Sequence, residues 1–554
     1  MLISPSNLLV LCVLVSTVLT PSGTQAEPSA PCPYPVSGYW LFGRSRVEDW
    51  REVLARIHRL GADTVIQFGH RPARATIEAV RAHPVFSQCR IDEQELVASA
   101  QSELAAANPG NRLRHVYTFE PEEDFGPALI VRPQFDKRVE VGDHLVWRLV
   151  LPAADPGDRS VGFTQPQQYD LILVSGRRAD SVAMLLDEAE ALGMGVFVGM
   201  PCAPAHPQYP WDPWGEASPA FLELTKRLLE DYAARYGAKA SFAGVYQSLE
   251  TPVSAQCLGN VLVLYSAQHA LVRSILPGKR ILLSPYWDAR KGKPTGTDMA
   301  AVKQGLKLLA RRNVDIIAPQ DSRGTGKVGL FRPHQTNDRV DPRLTPSVGA
   351  ATYGEAYCAT TTDFYRAARE ALDELAEQEN LHVELWANLE AFEPGPGVPC
   401  GSFSTTQRTT KERLDQAIMF AGPHPSKLIR YMWDSYYTCK AGLGQSLGEE
   451  IEADWRRPIV VEAFHQTVEG QGGVVLRGYN LTETGVELAF ADRAGADRRA
   501  TVPAAQCKVN ATFGGVGSRH PVRLQEVWMP FDWNLVAADS WLKLAVAGPG
   551  GTCH

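Results

Sequence analysis

The sequence predicts a parallel (β/α)8 barrel carrying a long insertion and a C-terminal β-sandwich-like module. Three observations lead there: about eight short β-rich apolar runs from Ser37 onward, amphipathic helical stretches between them, and a change of rhythm after Pro458. The runs are Gly38 to Gly43, Thr64 to Gly69, Gly195 to Pro201, Phe242 to Glu250, Ile281 to Trp287, Val314 to Asp321, His382 to Glu390 and Leu428 to Trp433. With 554 residues, 44% hydrophobic, the chain can bury a large core and exceeds the usual span of one domain.

The connecting helices show their signals locally. Ser218 can cap, Pro219 fits a first turn, Phe221, Leu224, Leu228 and Tyr232 share one face, and Gly237 closes the stretch. Thr362 or Asp363 opens another, burying Phe364, Ala368, Leu372 and Leu375. Between the second and third runs, about residues 70–180, the pattern breaks for far longer than a βα connection. Within it Ala128 to Arg132 and Leu145 to Leu151 read as strands, and Leu171 to Ser175 rivals the second barrel strand. An insertion leaving the C-terminal end of a strand is expected to sit over the barrel mouth.

The expected barrel spans residues 37–457 and the C-terminal module 458–554. In the latter Gly473 to Leu476, Val486 to Phe490 and Leu542 to Val546 alternate with Gly-rich turns. Trp528, Trp533 and Trp541 fit core packing better than a sugar-stacking face.

The apolar stretch Leu8 to Leu19 is too short to span a bilayer, and small and polar residues follow it up to Thr24-Gln25-Ala26. It predicts a leader over residues 1–26 and a secreted, cell-surface or periplasmic protein with no stable membrane span after cleavage. No Lys or Arg precedes the apolar run, which departs from the usual leader. Of ten cysteines, Cys12 lies in the leader, and no Cys-x-x-Cys pair suggests zinc. The expected disulfides are Cys507 with Cys553, Cys400 with Cys439 and Cys202 with Cys257, each within one module or at one barrel end. A net charge of −7 without a dense basic block speaks against nucleic acid and anionic membranes as partners.

A parallel barrel delivers the last residues of every strand to one rim. Glu250, Asp321 and Glu390 end the fourth, sixth and seventh runs, beside Tyr246, Gln247, Gln320, Trp386 and Asn388. Tyr286, Trp287 and Trp433 add aromatic surface at neighbouring strand ends, and Trp211 and Trp214 follow the third. Carboxylates for proton and carbon chemistry, amides for hydroxyls and flat rings for sugar faces together predict a carbohydrate cleft.

Gly244-Val245-Tyr246 with Glu250, Ser284-Pro285-Tyr286, Pro319-Gln320-Asp321 before Gly324, and Trp386-Ala387-Asn388-Leu389-Glu390-Ala391-Phe392 resemble the signature strands of a bacterial family, domain of unknown function 4434. That family is assigned to the glycosyl-hydrolase-like TIM barrels. The resemblance runs from Ser37 to Cys439 apart from the insertion. The long insertion and Ser322-Arg323 before Gly324 depart from the usual pattern, which leaves substrate choice open. The resemblance implies hydrolysis of a poly- or oligosaccharide, with a catalytically silent carbohydrate-binding barrel as the alternative. By likeness to barrel glycosidases, Glu250 would be the general acid/base and Glu390 the nucleophile. Asp321 would be an alternative acid or, with Gln320, a holder of a sugar hydroxyl.

Other signals lead away from competing chemistries. Gly324-Thr325-Gly326-Lys327-Val328-Gly329 matches a dinucleotide fingerprint, but Pro333 follows where that motif needs a helix, so the segment reads as a mobile rim loop rather than a nucleotide site. His70 and His382 lack partners at metal-ligand spacing, and no cofactor or metal is expected. No Gly-x-Ser-x-Gly elbow appears.

Overall fold

In the computed structural model, the described residues are 31–553 apart from 155–166, 205, 207, 214–217, 396–405, 441–443, 482–484, 514–517, 538–541 and 549–550. The predicted leader therefore lies outside them. Eight parallel strands close a barrel: β1 (Gly38–Leu41), β2 (Thr64–Gln67), β3 (Gly195–Gly199), β4 (Phe242–Gln247), β5 (Arg280–Leu283), β6 (Ile316–Ile317), β7 (Glu384–Glu390) and β8 (Lys427–Tyr431). Six begin or fall within a predicted run, and β5 and β8 start one residue before theirs. Gly38 lies opposite Thr64 on one side and Ile429 on the other, which closes the ring.

A helix follows each strand: α1 (Val47–Arg59), α2 (Ser181–Ala191), α3 (Pro219–Tyr236), α4 (Gly259–Ile275), α5 (Met299–Ala310), α6 (Thr361–Glu379), α7 (Lys411–Ala421) and α8 (Leu447–Asp454). In α3 the Ser218 hydroxyl accepts the Phe221 N–H, and Phe221, Leu224, Leu228 and Tyr232 are all buried. The cap of α6 is Thr360, one turn earlier than expected, because Asp363 at its third position returns the bond to the Thr360 backbone.

The insertion after β2 folds as a five-stranded sheet in the order Ala73–Ala75, Arg112–Phe119, Gln168–Arg177, His144–Pro152 and Lys137–Val141. Leu171 to Ser175 thus belongs to this sheet, and Ala128 to Arg132 holds a 3-10 turn, Pro127–Leu129, instead of a strand. One sheet face buries Val116, Val146, Val150, Leu171 and Leu173 under its own helices. The other face turns Trp147, Leu149, Ile172 and Val174 into the barrel's core.

That second face lies along α3, not over the mouth. Arg227 of α3 bonds Asp136 at 2.8 Å and the Leu129 carbonyl at 2.9 Å, Tyr232 bonds Glu123 at 2.8 Å, and Asp231 accepts the Gly126 N–H at 2.7 Å. These bonds span much of α3, so the insertion flanks the outer wall. It reaches the rim at its root, where His70 packs edge-on to Phe119, and at Glu122, which lies against Gly43 beyond β1.

After α8, two four-stranded antiparallel sheets enclose a shared core that includes Val474, Leu476, Val486, Leu488, Phe490, Val527, Met529 and Val546. Trp528 is buried in this module and Trp533 donates to the Gly473 carbonyl at 2.9 Å; Trp541 is outside the described residues. Cys202, Cys257 and Cys507 are free thiols, which removes the Cys202–Cys257 and Cys507–Cys553 pairings. Cys202 instead takes Arg71 on its sulfur at 3.1 Å. Cys439 is disulfide-bonded; Cys400 lies outside the described residues, so their pairing stands as a proposal.

Candidate active site

Alternate residues of β7 climb one face of the strand. Trp386, Asn388 and Glu390 therefore point to the same side at three depths, and only the last reaches the rim. Trp386 forms a floor: its ring meets Phe197 edge-on at 5.9 Å and lies beneath Lys427 and Arg280, near the N-terminal end of the barrel. It is not a stacking surface for sugar at the mouth. Asn388, fully buried, donates to Ser284 Oγ at 2.9 Å and accepts the Tyr431 N–H at 3.0 Å, so it ties β7 to its neighbours.

Glu390 is 3% exposed. Its Oε2 accepts the Gly324 N–H at 2.5 Å. A side chain at Gly324 would put a Cβ 2.5 Å from the Phe392 ring and 2.7 Å from that oxygen, so only glycine lets the amide approach this closely. Burial, then the charge of Asp321, push the Glu390 carboxyl up to about 8.

Asp321 holds the backbone instead of facing the mouth. Fully buried, it accepts the N–H groups of Glu390 and Arg323 on Oδ1, and Arg323 stands 3.4 Å from its Oδ2. Arg323 and Arg430 in turn donate to the Glu390 carbonyl at 2.5 and 3.0 Å. The peptide groups on both sides of Glu390 are thus gripped by buried charges. Gln320, one residue before Asp321, donates to the Ser284 carbonyl at 3.2 Å and is also a hydrogen-bond partner of Glu250.

Glu250, half-buried beyond β4, accepts the Tyr246 hydroxyl at 2.9 Å. Burial raises its carboxyl, while the bonds from Gln320 and Tyr246 and the cations Lys327 and Arg71 pull it back. Tyr246 itself is inward, edge-on to Trp40 at 5.7 Å. Gln247, next in sequence, points outward and bonds Gln268 of α4 at 2.9 Å, which removes it from the pocket.

Two groups feel both acids. The Lys327 ammonium lies in the fields of Glu390 and Glu250, and so does the Tyr431 phenol. Both acids are thus within electrostatic reach of the same two groups. Lys327 sits 3.6 Å from the Tyr286 ring centre. Its loop is not loosely held: Val328 is fully buried, and Lys327 exchanges backbone bonds with Ser322 and Ala289. Trp287 and Trp433, in contrast, are core residues, Trp287 against Phe364 and Tyr365 of α6, Trp433 between Tyr39 and Tyr437.

A chain of aromatic rings runs from the exposed Phe42 inward to the buried Phe392 and Tyr436. Phe42, 43% exposed, meets Phe68 at 5.0 Å; Phe68 meets Tyr431 at 5.6 Å; Tyr431 meets Phe392 at 5.8 Å, and Phe392 stacks on Tyr436 at 5.0 Å. Phe42 and Phe68 each follow the last residue of a barrel strand, a signal readable from strand ends alone.

The profile of domain of unknown function 4434 (DUF4434) matches residues 159–441, from the end of the insertion through β8. The chain belongs to the DUF4434 family. A second profile, domain of unknown function 8405 (DUF8405), matches residues 76–174, so the inserted sheet is similar to a family of its own. No curated protein matches this DUF4434 chain. Among solved structures, a candidate alpha-L-fucosidase from Bacteroides thetaiotaomicron VPI-5482 is 16% identical, covering 77% of this chain and 94% of its own, with a TM-score of 0.41. A glycoside hydrolase family 5 protein from Bacteroides vulgatus ATCC 8482 is 8% identical over 93% and 89%, with a TM-score of 0.34. A beta-galactosidase from Marinomonas ef1 is 9% identical over 74% and 56%, with a TM-score of 0.33. Likenesses this distant carry nothing about the reaction.

Proposed function

We propose that this DUF4434 protein is an exported glycoside hydrolase that cleaves a poly- or oligosaccharide with Glu250 and Glu390. What supports the reading is that these two acids, 140 positions apart in the chain, both act on Lys327 and Tyr431. Export rests on the leader-like Leu8 to Leu19 stretch.

Glycosidic cleavage needs one carboxyl that brings a proton to the leaving oxygen and one that is ionised. Their surroundings separate the two. Burial raises both carboxyls: that of Glu390 goes up to about 8 with the Asp321 charge adding to it, while that of Glu250 is held back by a hydroxyl, an amide and two cations. We therefore give the proton to Glu390 and the charge to Glu250, the reverse of the order implied by family likeness. Gln320 and Tyr246 hold Glu250, and the Phe42–Phe68–Tyr431 arc offers faces for sugar rings.

The test is reducing-end release from a panel of polysaccharides by the full chain and by Glu250→Gln and Glu390→Gln. Release by the native protein that both variants lose supports the reading. Unchanged release in either variant removes that residue, and binding without release by the native protein leaves the silent carbohydrate-binding barrel.

A further inference from the structure

We propose that Lys327 recognises an anionic substituent, a carboxylate or a sulfate, on the sugar bound at this rim, which makes the substrate an acidic glycan. The inference rests on the hydrolase reading and narrows its substrate class.

An ammonium taken partly out of water normally finds a carboxylate in contact. Lys327 is half-buried, yet among the described residues no carboxylate lies within ion-pair distance of it, and its side chain makes no hydrogen bond. Its near neighbour is the Tyr286 ring, 3.6 Å from the ammonium, an attraction that holds the cation without using its three donors. The loop is fixed on both sides: the Lys327 N–H donates to the Ser322 carbonyl at 3.1 Å and its carbonyl accepts the Ala289 N–H at 3.0 Å. The cation is thus positioned, and its donors are left for something that enters.

The charges around it favour an anion. Asp288 is taken by Arg290 in a two-pronged bond of 2.8 and 2.9 Å, and Asp321 by Arg323 at 3.4 Å. Beside those matched pairs, Glu250 is a negative charge whose nearby cations are Lys327 and Arg71. Glu250 therefore faces two cations where one would balance it, although the whole chain is at −7. A neutral glycan would leave that surplus unmatched. A uronate carboxylate or a sulfate ester would accept charge-assisted bonds from Lys327.

The experiment is affinity electrophoresis of the full chain through gels containing polygalacturonate, alginate, heparin or a sulfated galactan, each run beside a neutral form: methyl-esterified polygalacturonate and alginate, N-acetylated and desulfated carboxyl-reduced heparin, desulfated galactan. Retention by an acidic polymer and not by its neutral form is expected. Lys327→Met should weaken that retention by about tenfold or more, while Lys327→Arg keeps most of it. Carboxylated and sulfated polymers separate the two sources of charge. Glu250→Gln and Glu390→Gln should retain the acidic polymer even where they no longer cleave it, so a failed hydrolase reading would show as binding without turnover. Equal retention of charged and neutral forms, no retention of any acidic polymer, or full retention by Lys327→Met would overturn the proposal.

Discussion

Asp321 stands behind Glu390 and grips its backbone, Oδ1 accepting the Glu390 N–H at 3.3 Å while Arg323 and Arg430 hold the Glu390 carbonyl from the other side. An acid that looked catalytic by its place at a strand end is a positioning residue. Asp321→Ala would leave Arg323 buried without its counter-charge, a loss of about 3–5 kcal/mol that chemical unfolding should register. Asp321→Asn, of the same shape, should also lower the pH at which Glu390 ionises, since burial and the Asp321 charge both raise it. A Glu390 titration unmoved in the Asn variant would separate the two residues.

The Glu390 carboxyl makes stability depend on pH with a definite sign. Its folded value, about 8, lies above the ordinary 4.5, so the folded protein keeps a proton that the unfolded chain gives up. Stability is then fully present below the ordinary value and falls as pH rises through that window, by about 1.4 kcal/mol per unit. Glu390→Gln, which cannot ionise, should gain on the native protein as pH rises. Melting both over this range checks it; parallel curves would mean that Glu390 ionises normally.

The assignment of the proton to Glu390 predicts how each variant treats leaving groups. Without its acid, an enzyme loses about 10²–10⁴-fold on substrates whose leaving oxygen needs protonation and much less on activated aryl glycosides. Glu390→Ala should show that split, and Glu250→Ala should be slow on both. The opposite pattern, read from kcat on paired substrates, would restore the order implied by family likeness.

Gly324 and Phe42 test the rim from its two sides. Gly324→Ala places a methyl group against Phe392 and the Glu390 carboxyl, so kcat should fall with that carboxyl's displacement. Phe42 is 43% exposed, and Phe42→Ala should change stability by no more than about 0.5 kcal/mol while raising KM for long glycans several-fold. Unaltered KM would take the aromatic arc out of substrate binding.

The flanking insertion is anchored by an ion pair with both side chains fully buried, Arg227 and Asp136 at 2.8 Å. Asp136→Ala should cost about 3–5 kcal/mol. Proteolysis would show whether the inserted sheet is released first; a melt matching the native one would contradict the anchoring role.

The sequence alone determined the barrel, because strand ends and helix faces are written in local alternation: all eight runs became strands, and Phe364, Ala368, Leu372 and Leu375 were buried as their spacing required. It also led to the expectation that Glu250, Gln320, Tyr286 and Glu390 gather, since parallel strands deliver their ends to one rim. Tertiary structure decided which way each side chain turned. Both faces of a barrel strand are buried, one by the interior and one by the helices, so polarity along the strand does not say which face is inward. That is why Gln247, which ends its strand as Glu390 does, turned to Gln268 of α4 while Glu390 turned to Gly324. Depth along the barrel axis decided the rest, leaving Trp386 at the floor and Glu390 at the rim. Lys327 reached the opening by a loop path that no period encodes.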